Sequence, residues 1–205
     1  MKNTLSLSFL IIIFTISMSS YKVKAQALHK GDFVVDVFYG GPNLWSGILT
    51  SFYTNFNTID IGLHVIGPIG ARGEYMLTDQ IGLGLDLIYA SNSIAWSEED
   101  FFTPGGYLNY KLSVTRMRIT PRLNYHFSTY DDFDFYAVAG AGYKHTQYVF
   151  DIDDPYYNGQ NATAILPVSI RLAIGARYFI TEKAGIAAEI GIGSALATFG
   201  ATFKF

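Results

Sequence analysis

The chain has 205 residues, a formal charge of −3 and no cysteine, and 16% of its residues are aromatic. That length fits one domain behind a processed leader, and the missing cysteines exclude disulfides, thiolate metal sites and a lipoprotein anchor. The nearly balanced charge argues against a nucleic-acid partner, while so large an aromatic share is unusual for a soluble domain.

At the N-terminus, Lys2 precedes an apolar run from Leu5 to Met18, and Lys22 and Lys24 follow it. The run has about 14 residues, against the roughly 20 that a membrane-spanning helix needs. Val23-Lys24-Ala25 places small residues where a signal peptidase cuts. Residues 1–25 therefore read as a signal peptide, and 26–205 as the mature domain.

Beyond the leader, apolar residues recur with period two. Phe33, Val35, Val37 and Tyr39 alternate with Asp32, Val34, Asp36 and Phe38; Ile81, Leu83, Leu85 and Leu87 alternate with Gly82, Gly84 and Asp86. Leu166 to Ala176 and Ile186 to Ile192 repeat the pattern, and the chain ends on Ala195, Ala197, Phe199, Ala201, Phe203 and Phe205, interleaved with Thr198, Gly200, Thr202 and Lys204. A helix would repeat at three and four residues. The alternation predicts strands over 31–40, 60–77, 80–93, 108–127, 133–149, 163–180, 184–192 and 195–205. Thr78-Asp79, Ser128–Asp132 and Thr181–Lys183 make tight polar turns, whereas 41–59, 94–107 and 150–162 are long connections; the last, at Gly193-Ser194, is short. In 108–127 the apolar phase moves from Leu112 and Val114 to Met117, Ile119, Leu123 and Tyr125, which predicts a β-bulge near Thr115–Arg116. The strands over 108–127 and 133–149 exceed the roughly 9–11 residues of a membrane crossing and are expected to project beyond it.

An apolar strand ending on Phe205 would be an aggregating edge in water, but its outer face suits lipid. The expected fold is all-β: an eight-stranded antiparallel up-and-down transmembrane β-barrel with short turns at one end and long loops at the other. Alternation, loop asymmetry, the terminal Phe205 and a leader ending Lys-Ala-Gln, of a kind common in Bacteroidota, carry a resemblance over essentially the whole mature region. The chain resembles the small outer-membrane barrels of the OmpA/OmpX type. The resemblance implies residence in the outer membrane of a Gram-negative bacterium, contact with its lipid, and reading of Phe205 by the barrel-assembly machinery. It further implies a monomer without cofactor or C-terminal peptidoglycan-binding domain, serving envelope integrity, adhesion or host interaction.

The inward positions of this assignment carry Asp32, Asp36, Glu74, Asp86, Asp134 and Glu189 against Arg72, Arg116, Arg118, Arg122, Lys144, Arg171, Arg177 and Lys204. An eight-stranded interior is just wide enough for side chains to fill, and buried charges must pair. The lumen is expected to be a salt-bridged plug rather than a pore. Arg116, Arg118 and Arg122 on one face could line an anion path; neutralisation of acids on facing strands is the expected role.

Catalytic groups are sparse. His29, His64, His126 and His145 lack the neighbouring nucleophile and orienting carboxylate that hydrolysis needs; His64 and His126 fall on lumen positions at opposite ends. Glu98-Glu99-Asp100 and Asp151–Asp154 do not match a Ca²⁺ loop, and Gly140-Ala-Gly142 lacks the rest of a dinucleotide fingerprint. The aromatic residues of the long connections are the better clue: Trp45, Phe52 and Tyr53; Trp96, Phe101 and Phe102; Tyr156 and Tyr157. Tyr107 and Tyr148 fit an interfacial girdle, whereas Trp45 and Trp96 read as a lid over the barrel mouth or as contacts for a surface partner or apolar ligand. Three roles stand open: a closed structural or surface-interaction barrel, a narrow transporter for small apolar or anionic solutes, and a lipid-modifying enzyme using His145.

Overall fold

The computed structural model describes residues 26–41, 61–100, 106–127, 130–154 and 159–205. Its strands are β1 (Phe33–Gly41), β2 (Ile61–Met76), β3 (Ile81–Glu99), β4 (Tyr107–His126), β5 (Phe133–Ile152), β6 (Gln160–Thr163), β7 (Val168–Phe179), β8 (Ala184–Ile192) and β9 (Ala197–Lys204). Every pairing is antiparallel, and the ring runs β1-β2-β3-β4-β5-β7-β8-β9. It closes where β9 pairs with β1 from Val34↔Lys204 to Gly41↔Ala197. At the seam Phe33 and Phe205 exchange backbone hydrogen bonds of 3.1 and 2.8 Å. Eight strands thus form a closed barrel with no open edge, the condition for a sheet to sit in hydrocarbon.

Parity sorts the side chains. Val37, Tyr39, Leu83, Leu85, Leu87, Ile170, Leu172, Ile174, Phe199 and Phe203 are exposed on the outer face, whereas Asp36, Arg72, Asp86, Arg122, Arg177 and Glu189 are buried inside. Phe33, Tyr75, Tyr125, Phe135, Tyr178 and Phe203 ring the short-turn end of this apolar belt; Tyr39, Tyr89, Tyr143 and Phe199 ring the other. From Tyr125 to Met117 is eight residues, about 27 Å along a strand, which a tilt of about 40° shortens to about 21 Å, close to an apolar band of about 25 Å. An exposed apolar surface of this extent is stable only in lipid. The barrel is a transmembrane barrel.

The two sides differ in height. β3, β4 and β5 have 19, 20 and 20 residues, against 9, 9 and 8 in β1, β8 and β9. Glu98 and Glu99 lie on β3 and Phe150 to Ile152 on β5, so the connections expected over 94–107 and 150–162 begin and end as strand. β6 pairs only with the upper part of β5 and extends this tall wall.

Above the upper girdle the two faces exchange character. On β3, Ser91, Ser93 and Ser97 now face outward while Ile94 and Trp96 are buried inward; on β4, Lys111 and Asn109 are exposed while Val114 is buried inward. Inside the bilayer the outer face must be apolar; beyond it, water reverses the preference. This exchange produces the phase change in 108–127. The register of β4 with β3 and with β5 stays constant through Thr115 and Arg116, so the predicted bulge is absent. The register slips instead between Ile66 and Ile69 of β2, at Gly67-Pro68. A second slip separates Thr163 from Val168: β6 and β7 follow the same neighbour β5 one residue out of phase, interrupted at 164–167. The single strand expected over 163–180 is therefore broken. Each slip contains a proline, Pro68 or Pro167, which has no N–H for a ladder bond.

Candidate functional site

The lumen is the place where this sequence concentrates chemistry, and it is filled in layers. At the short-turn end, Ala27 and Leu28 pack against the inward Val34, Met76 and Phe179. The segment is tied down by Gly31 N–H to Met76 O at 2.9 Å, Lys30 N–H to Asp79 Oδ1 at 2.8 Å, and Lys204 Nζ to Ala27 O at 3.0 Å. Together they form an apolar stopper.

The middle layer is ionic. Arg177 of β7 reaches Asp36 Oδ2 at 3.0 Å, Glu74 Oε2 at 2.7 Å and Asp134 Oδ2 at 3.1 Å. Arg122 of β4 bridges Asp86 Oδ1 and Glu189 Oε2, both at 2.7 Å, and donates to Asn124 Oδ1 at 2.9 Å. Arg171 pairs with Glu189 Oε1 at 2.5 Å; Arg72 reaches Glu189 Oε2 at 3.3 Å, donates to Thr198 Oγ1 at 2.9 Å, and lies 3.9 Å over the Phe38 ring. Every strand of the ring contributes a polar side chain, and none of these ionic groups is more than 3% exposed.

His126 completes the layer. Its Nε2 lies 2.7 Å from Glu74 Oε1 and its Nδ1 2.8 Å from Asp134 Oδ1. With a carboxylate at each nitrogen both must donate, which makes the ring an imidazolium. Four guanidinium groups and one imidazolium then face five carboxylates, Asp36, Glu74, Asp86, Asp134 and Glu189, so the layer is neutral. Neutrality, with each charge held in an ion pair, is what burial of charge requires. Tyr136, fully buried, spans the layer with its hydroxyl 3.4 Å from Glu189 Oε2 and its ring 4.5 Å beneath Arg177. Gly175 makes room for that ring: a Cβ there would collide with the Tyr136 phenol.

Towards the loop end, the short β8–β9 turn folds inward. Arg171 Nη1 donates to Ala195 O at 3.0 Å, Arg118 donates to Gly193 O, and Ala195 is buried against Gly40. Gly193 adopts φ +94°, a conformation that favours glycine, which lets the chain double back within so short a connection. The strand expected over 195–205 thus begins at Ala197, and Ala195 points into the mouth instead of continuing the outer face.

The fourteen charges assigned to the lumen therefore divide. Asp36, Arg72, Glu74, Asp86, Arg122, Asp134, Arg171, Arg177 and Glu189 meet in one network. Asp32 precedes β1 and accepts the His29 N–H at 2.9 Å, and Lys204 holds the stopper, 5.3 Å from the Phe179 ring. Arg116, Arg118 and Lys144 stand above the network on β4 and β5. His64 is exposed on the outer face of β2, because the slip at Gly67-Pro68 reverses parity there. Sequence reasoning placed His126 in the lumen but not in its charge network, and it left out Tyr136; their parity with Arg122 and Asp134 was the available signal.

Among the aromatic candidates, Trp96 is a strand residue. It stacks on Tyr110 with ring centroids 5.3 Å apart and planes 10° off parallel, lies 6.3 Å from Phe150, and donates to Glu98 Oε1 at 3.1 Å. Burial, with the carboxylates of Glu98, Asp100 and Asp154, raises the Tyr110 phenol above its usual range and keeps it neutral. Tyr148 faces inward and Tyr107 sits far above the belt, so neither belongs to the girdle. Trp45, Phe52, Tyr53, Phe101, Phe102, Tyr156 and Tyr157 lie outside the described residues.

No protein-family model matches the chain, and no curated protein matches it. Solved structures do. The N-terminal β-barrel domain of Pseudomonas aeruginosa OprF is 17% identical with a TM-score of 0.45, covering 87% of this chain and 100% of that one. Ail, the attachment invasion locus protein of Yersinia pestis, is 12% identical with a TM-score of 0.45, covering 86% and 99%. The outer membrane protein OprG of P. aeruginosa is 14% identical with a TM-score of 0.47, covering 89% and 99%.

Proposed function

We propose that this protein is a closed, non-conducting barrel of a Gram-negative outer membrane, in which the barrel is a rigid mount and the loop end carries the surface role. The observation that supports this is the neutral layer of paired side chains from Asp36 to Glu189, which occupies the lumen from wall to wall at no more than 3% exposure. An apolar stopper below it and an inturned loop above it block the same path. A solute would have to break several buried ion pairs at once, each costly to separate. The tall wall of β3, β4 and β5 raises the polar outer surface clear of the lipid on the loop side, where a surface partner would meet it. In this orientation the short-turn end is periplasmic. Among the described residues, nothing in the lumen joins a nucleophile to a base, and no activity is proposed.

Planar-bilayer recording tests the reading. Purified protein should give negligible conductance, whereas large, steady single-channel steps at neutral pH would overturn the closed barrel.

A further inference from the structure

Above the neutral layer, the inward faces of β4 and β5 carry only positive charge. Arg118 and Lys144 stand directly opposite one another across the β4–β5 pair, and Arg116 follows two residues on, opposite Thr146. Arg116, Arg118 and Lys144 are each half-buried, and Thr146 is buried. The lumen carboxylates are committed elsewhere, to Arg72, Arg122, Arg171, Arg177 and His126. Arg118 donates to the Gly193 carbonyl, and among the described residues the Lys144 ammonium meets no carboxylate. The segments outside the described residues contribute one acid to the sequence, Asp60.

Like charges directly opposite in a sheet oppose folding, and partial burial adds to that cost. Nine charged side chains just below are arranged so that each cation meets a carboxylate, so the opposed pair above them is conspicuous. We infer that Arg118 and Lys144 form a binding site for a small water-soluble oxyanion, a phosphate, sulfate or carboxylate, admitted from the loop end. The guanidinium offers a planar pair of donors and the ammonium a compact charge, a combination suited to tetrahedral or planar oxyanions. Travel beyond the site is barred by the layer containing Arg72 and Arg122, so the site binds and does not conduct. Its charges face the lumen, which separates it from the headgroups of the surrounding lipid.

The test uses the intact barrel folded in zwitterionic detergent. Unfolding temperature is followed against inorganic phosphate and against chloride at matched ionic strength, since a ligand that binds only the folded state raises stability. Phosphate should give a saturable rise that chloride does not. Arg118→Gln and Lys144→Gln should each weaken phosphate affinity by about tenfold or more, and Lys144→Arg should retain most of it. Lys144→Gln should also unfold at a higher temperature than the parent without phosphate, because the like-charge opposition is gone; a merely structural lysine would not combine these two effects. Equal protection by phosphate and chloride, or undiminished protection in Lys144→Gln, would overturn the site. Protection by added phosphatidylglycerol but not by phosphate would overturn it too, and place the anion among lipid headgroups.

Discussion

Arg177 bonds carboxylates from three strands, and its loss would leave Asp36, Glu74 and Asp134 facing one another, buried. Breaking a buried charge cluster in this way costs about 3–5 kcal/mol, so Arg177→Met should lower the urea midpoint of the vesicle-inserted barrel accordingly. A midpoint within error of the parent would show that water reaches these carboxylates. Gly142 is a second sensitive position. It lies between Thr120 of β4 and Ser169 of β7, which hydrogen-bond across it at 3.1 Å, and a Cβ there would strike the Ile119 carbonyl. Gly142→Ala should therefore cost about 1–3 kcal/mol, while Ala141→Val on the lipid side should be neutral in the same unfolding assay. At this scale, inward and outward residues were legible in the sequence, since parity alone decides them. Partners were not: Asp36 and Arg177 are 141 residues apart, and only ring closure brings them together.

Each strand is read by its period, and the period survives both environments. What changes along β3, β4 and β5 is which face is apolar. Leu85 faces lipid at mid-belt and Ser93 faces water eight residues further on, both on the outer side of β3. Leu85→Lys should cost about 2–4 kcal/mol in vesicle-folding equilibria, and Ser93→Lys should leave folding unchanged. Equal penalties would mean that the lipid extends higher than the Tyr89 girdle. The same exchange explains why the bulge was expected in the wrong strand. A slip of register and a change of solvent produce identical hydrophobic patterns, because both move apolar residues from odd to even positions. Pairing partners distinguish them, and they put the slips beside Pro68 and Pro167.

Across the whole molecule, three closures are stacked along one axis: the stopper at Leu28, the ionic layer, and the inturned β8–β9 turn. They are redundant as seals. Leu28→Ser should lower thermal stability, with a loss of about 1–3 kcal/mol for an apolar side chain taken out of a buried cluster, yet leave conductance at the parent level in planar bilayers. An open channel in that variant would show that the ionic layer does not close the lumen.

The sequence by itself determined the strand period, the number of strands in the ring, the polar interior and the apolar exterior. Alternation is a local property, and a closed barrel is the architecture that makes a lipid-facing apolar side compatible with satisfied backbone. Only the tertiary structure decided which charges neutralise which, that His126 makes the balance, and that Arg118 and Lys144 are left opposed. Those outcomes depend on the register between strands far apart in the chain, and register is invisible to any pattern read along a single strand.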